Sequence, residues 1–131
     1  WKAIPVRGVP VVMIGHEGPW FAPPTTLMGA PLAGFRLCLS HTPDNFYWAC
    51  GKSVDLVIAG HVHGGGIRVP LIGSIFVPSI YGRRFDQGVF EQGRTVMAVG
   101  RGISGREVTR IGTHPQVMRI TLTASGATGG T

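Results

Sequence analysis

Three histidines stand where the sequence predicts that strands end. His41 follows an alternating segment at residues 35–40, and His61 and His63 close the apolar run at 54–60. In a strand, residues i and i+2 project from one face about 6.6 Å apart, so His61 and His63 should lie on the same side. That spacing suits two metal ions about 3.5 to 4 Å apart, one imidazole to each, at least as well as a single ion. The pattern therefore predicts a metal site with His41, His61 and His63 as ligands.

Three glycines, Gly64, Gly65 and Gly66, follow directly after these histidines. Glycine adopts left-handed backbone angles without strain and lets another group approach the chain closely. The three residues therefore fit either a tight turn or a loop that leaves room for a substrate, and composition does not choose between these. Two further histidines, His16 and His114, are interpreted as ordinary polar residues.

The elements that must position the histidines are predicted to be short strands around one short helix. Buried strands are expected at residues 9–14, 35–40 and 54–60, after an irregular loop at 18–32 between the first two. Thr42 is expected to cap a helix that has Pro43 at its first position, Asp44 in its first turn and Gly51 at its end. Strands joined by such a short crossover are usually adjacent and parallel, and open α/β sheets build their sites at the carboxyl ends.

Short strands and turns are predicted for the rest of the chain. These strands are expected at residues 67–69, 75–77, 89–91, 95–100 and 116–122. A hairpin turn is expected at Gln92 and Gly93. Residues 124–131 are small, polar and rich in glycine, and we expect them to form a disordered tail.

The composition fits a single α/β domain with a basic surface. Among 131 residues, 44% are hydrophobic, 21 are glycine and 10 are proline, which favours many turns over a helical bundle. The net charge of +6 comes mostly from arginine, which favours an anionic partner. Cys38 and Cys50 are interpreted as core residues without a disulfide framework. The sequence has no membrane-spanning run and no signal peptide, and because it opens on Trp1 we expect the natural N-terminus to be missing.

Several segments in order resemble a known family of enzymes. The segments "LCLSHTPDNF", "VDLVIAGHVHGGGIRVPLIG" and "FVPSIYGRRFDQGVF" together resemble the C-terminal half of the calcineurin-like metallophosphoesterases, in particular a bacterial branch of membrane-associated or secreted phosphohydrolases. The resemblance covers about residues 9–122. Gly66 departs from the glutamine that many relatives have, and "REVTRIGTHPQ" departs from their usual Asn-Cys-Pro-Pro-Glu segment.

The resemblance implies a fold, a reaction and roles for individual residues. The implied fold is α/β, the C-terminal half of a four-layer α/β/β/α sandwich, with two divalent metal ions (Mn, Zn, Fe or Ni) that hydrolyse a phosphoester substrate. His41 and His61 would bind one ion and His63 the other. The residues implied to border the substrate are Gly64, Gly65, Arg83 and Arg84. Arg83 and Arg84 also fit a solvated surface pair, so their capture of a phosphate or head group is one of two interpretations.

The resemblance also implies that some ligands are not in this sequence. Family members carry Asp-x-His, Gly-Asp-x-x-Asp and Gly-Asn-His segments that supply the bridging carboxylate, an Asn ligand and the general acid, and this chain has none of them. Residues 1–123 are therefore expected to form the C-terminal portion of the domain and to need its N-terminal half. This chain alone is expected to supply no catalytic residue and to be inactive and poorly soluble.

Two other functions stay open. In the first alternative, the chain is a non-catalytic fragment. In the second, it is a basic module that binds an anionic ligand such as nucleic acid or a lipid head group. Nucleic acid is not expected, because the sequence has neither a basic helix nor an aromatic-basic recognition motif. Membrane association is compatible with the resemblance, and the compartment is left open between bacterial cytoplasm, membrane and export.

Overall fold

The computed structural model describes residues 1–18, 26–103 and 110–123. The strands in these residues are β1 (Lys2–Val6), β2 (Val9–His16), β3 (Phe35–Ser40), β4 (Leu56–Ala59), β5 (Arg68–Val69), β6 (Gly73–Ser74), β7 (Gly88–Gln92) and β8 (Thr95–Val99). The helix α1 (Phe46–Gly51) follows a 3-10 helix at Pro43–Asn45. Two further 3-10 helices lie at His63–Gly65 and Gly82–Phe85.

Six strands form a mixed sheet in the order β1-β2-β3-β4-β8-β7, and β5 and β6 form a separate hairpin. The strands β2, β3, β4 and β8 are parallel, while β1 and β7 pair antiparallel at the two edges. The carboxyl ends of the four parallel strands therefore meet at one edge of the sheet. The predicted α/β class is confirmed, and the observed sheet is compatible with a metallophosphoesterase fold.

One face of the sheet forms the hydrophobic core. Cys38 in β3 pairs in register with Val57 in β4, and Val57 pairs with Met97 in β8. All three are almost completely buried, and Phe46 and Ala49 of α1 belong to the same cluster. The short helix therefore covers the face that carries these residues.

The opposite face of the sheet is apolar but less covered. Leu37 and Leu39 alternate with Cys38 along β3, so they lie on the other side. Leu37 and Ile58 are only half-buried, and Leu39 is 46% exposed. In the described residues this face carries no helix, which leaves an apolar surface on the sheet.

The predicted strands near the histidines are largely confirmed. The strand at 35–40 has the predicted bounds, the first strand extends to His16, and the third is limited to Leu56–Ala59. Pro43 opens its helix as expected, but Thr42 makes no side-chain capping hydrogen bond. The strand β1 was not predicted, because Pro5 interrupts a segment that already lacks a clear alternation of apolar residues.

Two predictions in the second half of the chain are wrong. No strand lies at residues 75–77, since the chain pairs two residues earlier at Gly73–Ser74. None lies at 116–122 either, where Val117 is exposed and no described strand pairs with the segment. The β7–β8 turn lies at Gly93 and Arg94, one residue later than predicted. The expected tail at 124–131 lies outside the described residues.

Candidate metal and phosphoester site

His41 and His61 lie side by side at the carboxyl edge of the sheet. His41 directly follows β3, and its backbone N–H donates to the carbonyl of His16 at 2.8 Å, which continues the pairing with β2. His61 follows the neighbouring strand β4 by two residues. Their ring centroids are 4.7 Å apart with the planes inclined by 43°. The parallel pairing of β3 and β4 therefore places two imidazoles beside each other, as the sequence predicts.

The backbone that carries His61 and His63 is a turn and not a strand. Both residues have left-handed φ values, 70° for His61 and 51° for His63. The prediction that strand alternation brings them to one face is therefore wrong. Such φ values are uncommon for residues other than glycine, and they occur disproportionately at functional sites. Here the turn, and not the strand, determines the direction of both side chains.

Burial and charge together make His61 harder to protonate. Burial of the ring lowers the pKa of His61, and the positive charges that His41 and His63 would carry lower it further. Asp44 acts in the opposite direction, since its negative charge raises the pKa of His61. A neutral imidazole is the form that binds a metal ion, so this environment favours the ligand form of His61.

His63 makes a contact that the sequence did not predict. The Nη2 atom of Arg110 lies 3.0 Å from Nδ1 of His63 and also donates to the carbonyls of Arg101 at 2.9 Å and Gly102 at 3.3 Å. Arg110 was not among the predicted site residues, and its 47-residue separation from His63 leaves no local signal that could have identified it.

The glycine loop after His63 is packed against the rest of the protein. Gly64 and Gly65 are buried, with φ values of 69° and 82°. A Cβ at Gly65 would overlap the Ser74 side chain, and one at Gly64 would lie 3.0 Å from Cγ of Arg101. Both glycines are therefore required by a tight turn and by close packing.

A polar network beneath the loop keeps it in place. The hydroxyl of Ser74 donates to Oδ2 of Asp86 at 2.5 Å and lies 3.1 Å from the carbonyl of Gly64. Arg68 Nη1 donates to the same Asp86 oxygen at 2.7 Å. The charges of Arg68 and Asp86 thus compensate each other next to the loop.

Asp44 connects the helix after His41 to the loop before Arg83. Its Oδ1 atom accepts hydrogen bonds from the Ser79 hydroxyl at 2.5 Å and from the backbone N–H of Ile80 at 3.0 Å. Its Oδ2 atom is buried and has no hydrogen-bond partner among the described residues. The sequence explained Asp44 as a helix-start residue, and the structure adds this link to a loop 35 residues away.

Arg83 and Arg84 occupy different environments on the exposed 3-10 helix at Gly82–Phe85. The Nη1 atom of Arg83 donates to the carbonyls of Ile72 at 2.8 Å and Ser74 at 3.3 Å. The guanidinium of Arg84 lies 5.8 Å from the ring centroid of Tyr47 and 5.4 Å from that of Phe85. Arg83 therefore supports the β5–β6 hairpin, and Arg84 stacks on the aromatic cluster beside it.

His16 and His114 lie in different environments. His16 is buried, its Nδ1 lies 3.3 Å from Nδ2 of Asn45, and its ring meets Trp48 edge-on at 4.9 Å. Burial lowers the pKa of His16. His114 is exposed.

The described residues fit a metal site only in part. His41 and His61 are close enough to act together, but residues 1–18, 26–103 and 110–123 contain no group of three or more His, Cys, Asp or Glu side chains able to hold an ion. The carboxylates of Asp55 and Asp86 accept hydrogen bonds from arginines, Arg94 and Arg68 respectively. An open concavity of about 400 Å³ lies along the β5–β6 hairpin, and none of the three histidines lines it.

Two curated sequences are similar to this chain. The phosphodiesterase YaeI of Escherichia coli strain K12 is 33% identical over 87 residues, which are 66% of this chain and 32% of that protein. YkuE of Bacillus subtilis strain 168, an uncharacterized metallophosphoesterase, is 34% identical over 89 residues, which are 67% of this chain and 31% of that protein. Over the two thirds of its length that align, this chain belongs to the metallophosphoesterase family.

The chain spans about a third of the length of these curated relatives. No protein-family model matches the chain. No solved structure matches it either. In the described part of the chain, no helix is long and apolar enough to cross a membrane.

Proposed function

We propose that His41, His61 and His63 form one side of a site that hydrolyses phosphoesters with divalent metal ions. The observation that carries the proposal is the 4.7 Å approach of the His41 and His61 rings at the ends of adjacent parallel strands, in a chain similar to metallophosphoesterases. The strained backbone of His61 and His63 supports it, because such strain is usually retained where it serves a function.

The proposed cofactors are two divalent ions, either Mn, Zn, Fe or Ni. His41 and His61 would hold one ion and His63 the other. Bound together, two such ions lower the pKa of water and neutralise charge on the phosphoryl oxygens. The lowered pKa of His61 supports its part, because the ring stays neutral over a wider pH range.

His63 needs a rearrangement to act as a ligand. Arg110 occupies its Nδ1 lone pair, and a neutral imidazole in that position carries its proton on Nε2. We therefore propose that Arg110 turns away from His63 when an ion binds. The carbonyls of Arg101 and Gly102 already accept hydrogen bonds from Arg110 and are available to retain it.

The carboxylate ligands and the general acid are proposed to come from outside the described residues. Asp55 and Asp86 accept hydrogen bonds from arginines, and Oδ1 of Asp44 accepts from Ser79 and Ile80, so these oxygens already have structural partners. The half-covered sheet face at Leu37, Leu39 and Ile58 is where a second sheet would pack in the proposed four-layer α/β/β/α sandwich. Such packing would remove an exposed apolar surface from water.

The substrate is proposed to lie between the histidines and the Gly82–Phe85 segment. Arg83 and Arg84 would attract its phosphate, while the buried Gly64 and Gly65 would keep the loop beside it tightly turned. The exposed position of both arginines supports this role, since their charge is accessible to an anion. Because the relative YaeI is named a phosphodiesterase, we propose a phosphodiester as the substrate class.

The test is hydrolysis of bis(p-nitrophenyl) phosphate by the full-length protein, stripped of metal and then supplied with Mn²⁺ or Zn²⁺. We expect metal-dependent release of nitrophenol that falls by more than about a hundredfold in His61→Ala and in His63→Ala. The control is His114→Ala, which changes an exposed histidine outside the site. Equal activity in the wild type and in both site variants would overturn the proposal.

A further inference from the structure

The β5–β6 hairpin and the segment after it present an exposed apolar surface. The hairpin patch is defined here as Leu71, Ile72, Ile75, Phe76 and Ile80. Leu71 is fully exposed, while Ile72 and Phe76 are 64% and 71% exposed. Single exposed apolar residues are ordinary, but a continuous group of large ones marks an interaction surface.

Hydrogen bonds hold the hairpin patch in a defined shape. Val69 pairs with Gly73 across the hairpin, and the N–H of Ile72 donates to the carbonyl of Val69 at 3.3 Å. The N–H of Ile75 donates to the carbonyl of Ile67 at 3.0 Å. The apolar side chains are therefore presented by an ordered turn, with Leu71 at its tip.

Two exposed arginines follow the hairpin patch, while the carboxylate of Asp44, which accepts from the N–H of Ile80, is buried. Arg83 reaches the base of the patch, where its Nη1 donates to the carbonyl of Ile72 at 2.8 Å. Arg84 is the next residue and is also exposed. The segment 69–85 contains no acidic residue. An exposed apolar turn with Arg83 at its base and exposed Arg84 next in the chain is complementary to lipid, whose acyl chains lie below a layer of phosphates.

We propose that the hairpin patch docks on a bilayer that contains anionic phospholipid. Leu71, Ile72 and Phe76 enter the boundary of the acyl chains, and Arg83 and Arg84 stay at the level of the phosphates. Leu71 at the turn is fully exposed, and its neighbour Ile72 is 64% exposed, so both side chains are accessible to a lipid layer. This proposal uses Arg83 and Arg84, which the proposed substrate site also uses, but it requires neither metal nor activity.

The test is co-sedimentation of the full-length protein with vesicles of equal amounts of phosphatidylglycerol and phosphatidylcholine. Leu71→Glu combined with Phe76→Glu should lower the partition coefficient by at least about tenfold, because two large apolar groups no longer leave water. The matched control is Val89→Glu, at a position that is 65% exposed on the edge strand β7. Melting followed by circular dichroism shows that each variant is folded.

Binding that is lost in the double variant, kept in Val89→Glu and weaker on pure phosphatidylcholine supports the proposal. Binding that survives in the double variant overturns it, because another part of the protein then holds the membrane. Wild-type protein that does not bind vesicles also overturns it. In that case, a lower melting temperature or a changed oligomeric state in the double variant would show that protein covers the hairpin patch.

Discussion

The Nη2 atom of Arg110 lies 3.0 Å from Nδ1 of His63. A guanidinium group has only donors, so Nδ1 must accept this hydrogen bond. The neutral ring of His63 therefore carries its proton on Nε2. If His63 binds an ion as proposed, Arg110 would compete with that ion for the lone pair on Nδ1.

The first prediction concerns the tautomer of His63. In the metal-free protein, nitrogen-15 NMR should show Nδ1 of His63 without a proton and Nε2 with one. The Arg110→Ala variant should lose this preference, while exposed His114 should be the same in both proteins. A proton on Nδ1 of His63 in the wild type would show that the Arg110 contact does not exist in solution.

The second prediction concerns the close packing of the glycine loop. Gly65→Ala should lower the free energy of unfolding by about 2 kcal/mol, because the new methyl group meets Ser74 and the backbone has a φ of 82°. Gly51→Ala is the control, since an added Cβ there has no neighbour within 4 Å. Urea unfolding measures both. Equal stability of the two variants would mean that the loop is open enough to accept a side chain.

The third prediction concerns the link from Asp44 to the loop that contains Ser79. Asp44→Ala should destabilise the protein by about 1 to 3 kcal/mol, because it removes the charged acceptor of two part-buried hydrogen bonds, from the Ser79 hydroxyl and the Ile80 N–H. It should also speed proteolysis near residues 79–85. Glu91→Ala, at an exposed position of β7, should change neither property. Unchanged cleavage in Asp44→Ala would show that other contacts fix this loop.

The fourth prediction concerns the buried thiol of Cys38. Burial raises the pKa of Cys38 from 9.0 to about 11, so iodoacetamide at pH 8 should modify half-buried Cys50 first. Both cysteines should react when the protein is unfolded in urea.

The raised pKa also makes stability depend on pH. Below pH 9 the Cys38 thiol is protonated in the folded and the unfolded protein, and between pH 9 and about 11 it is deprotonated mainly in the unfolded chain. Stability should therefore fall as pH rises through this range, and less steeply in Cys38→Ala. Early labelling of Cys38 in the folded protein would contradict this.

Local patterns predicted the elements next to the site. The alternation in Phe35–Ser40 and the apolar run in Leu56–Ala59 were enough to locate β3 and β4, and thereby to bring His41 beside His61. A strand at 116–122 was predicted from alternation as well, but a strand also needs a neighbour to pair with. The identity of that neighbour is not contained in the local pattern.

The rest of the site depends on contacts between distant residues. The turn that reverses the backbone at His61 and His63 cannot be distinguished from a strand end by periodicity, because both follow the same apolar run. Arg110 reaches His63 and Asp44 reaches Ser79 across long stretches of chain. Such pairs become apparent only when the sheet has brought the segments together.

The central claim is that the three histidines hold the metal ions of a phosphoesterase site. Metal bound per chain, measured after equilibrium dialysis of the full-length protein against Mn²⁺ or Zn²⁺, tests it most directly. We expect two bound ions per chain for the wild type and for His114→Ala, and fewer than two for His61→Ala and for His63→Ala. The full wild-type metal content in both site variants would contradict it.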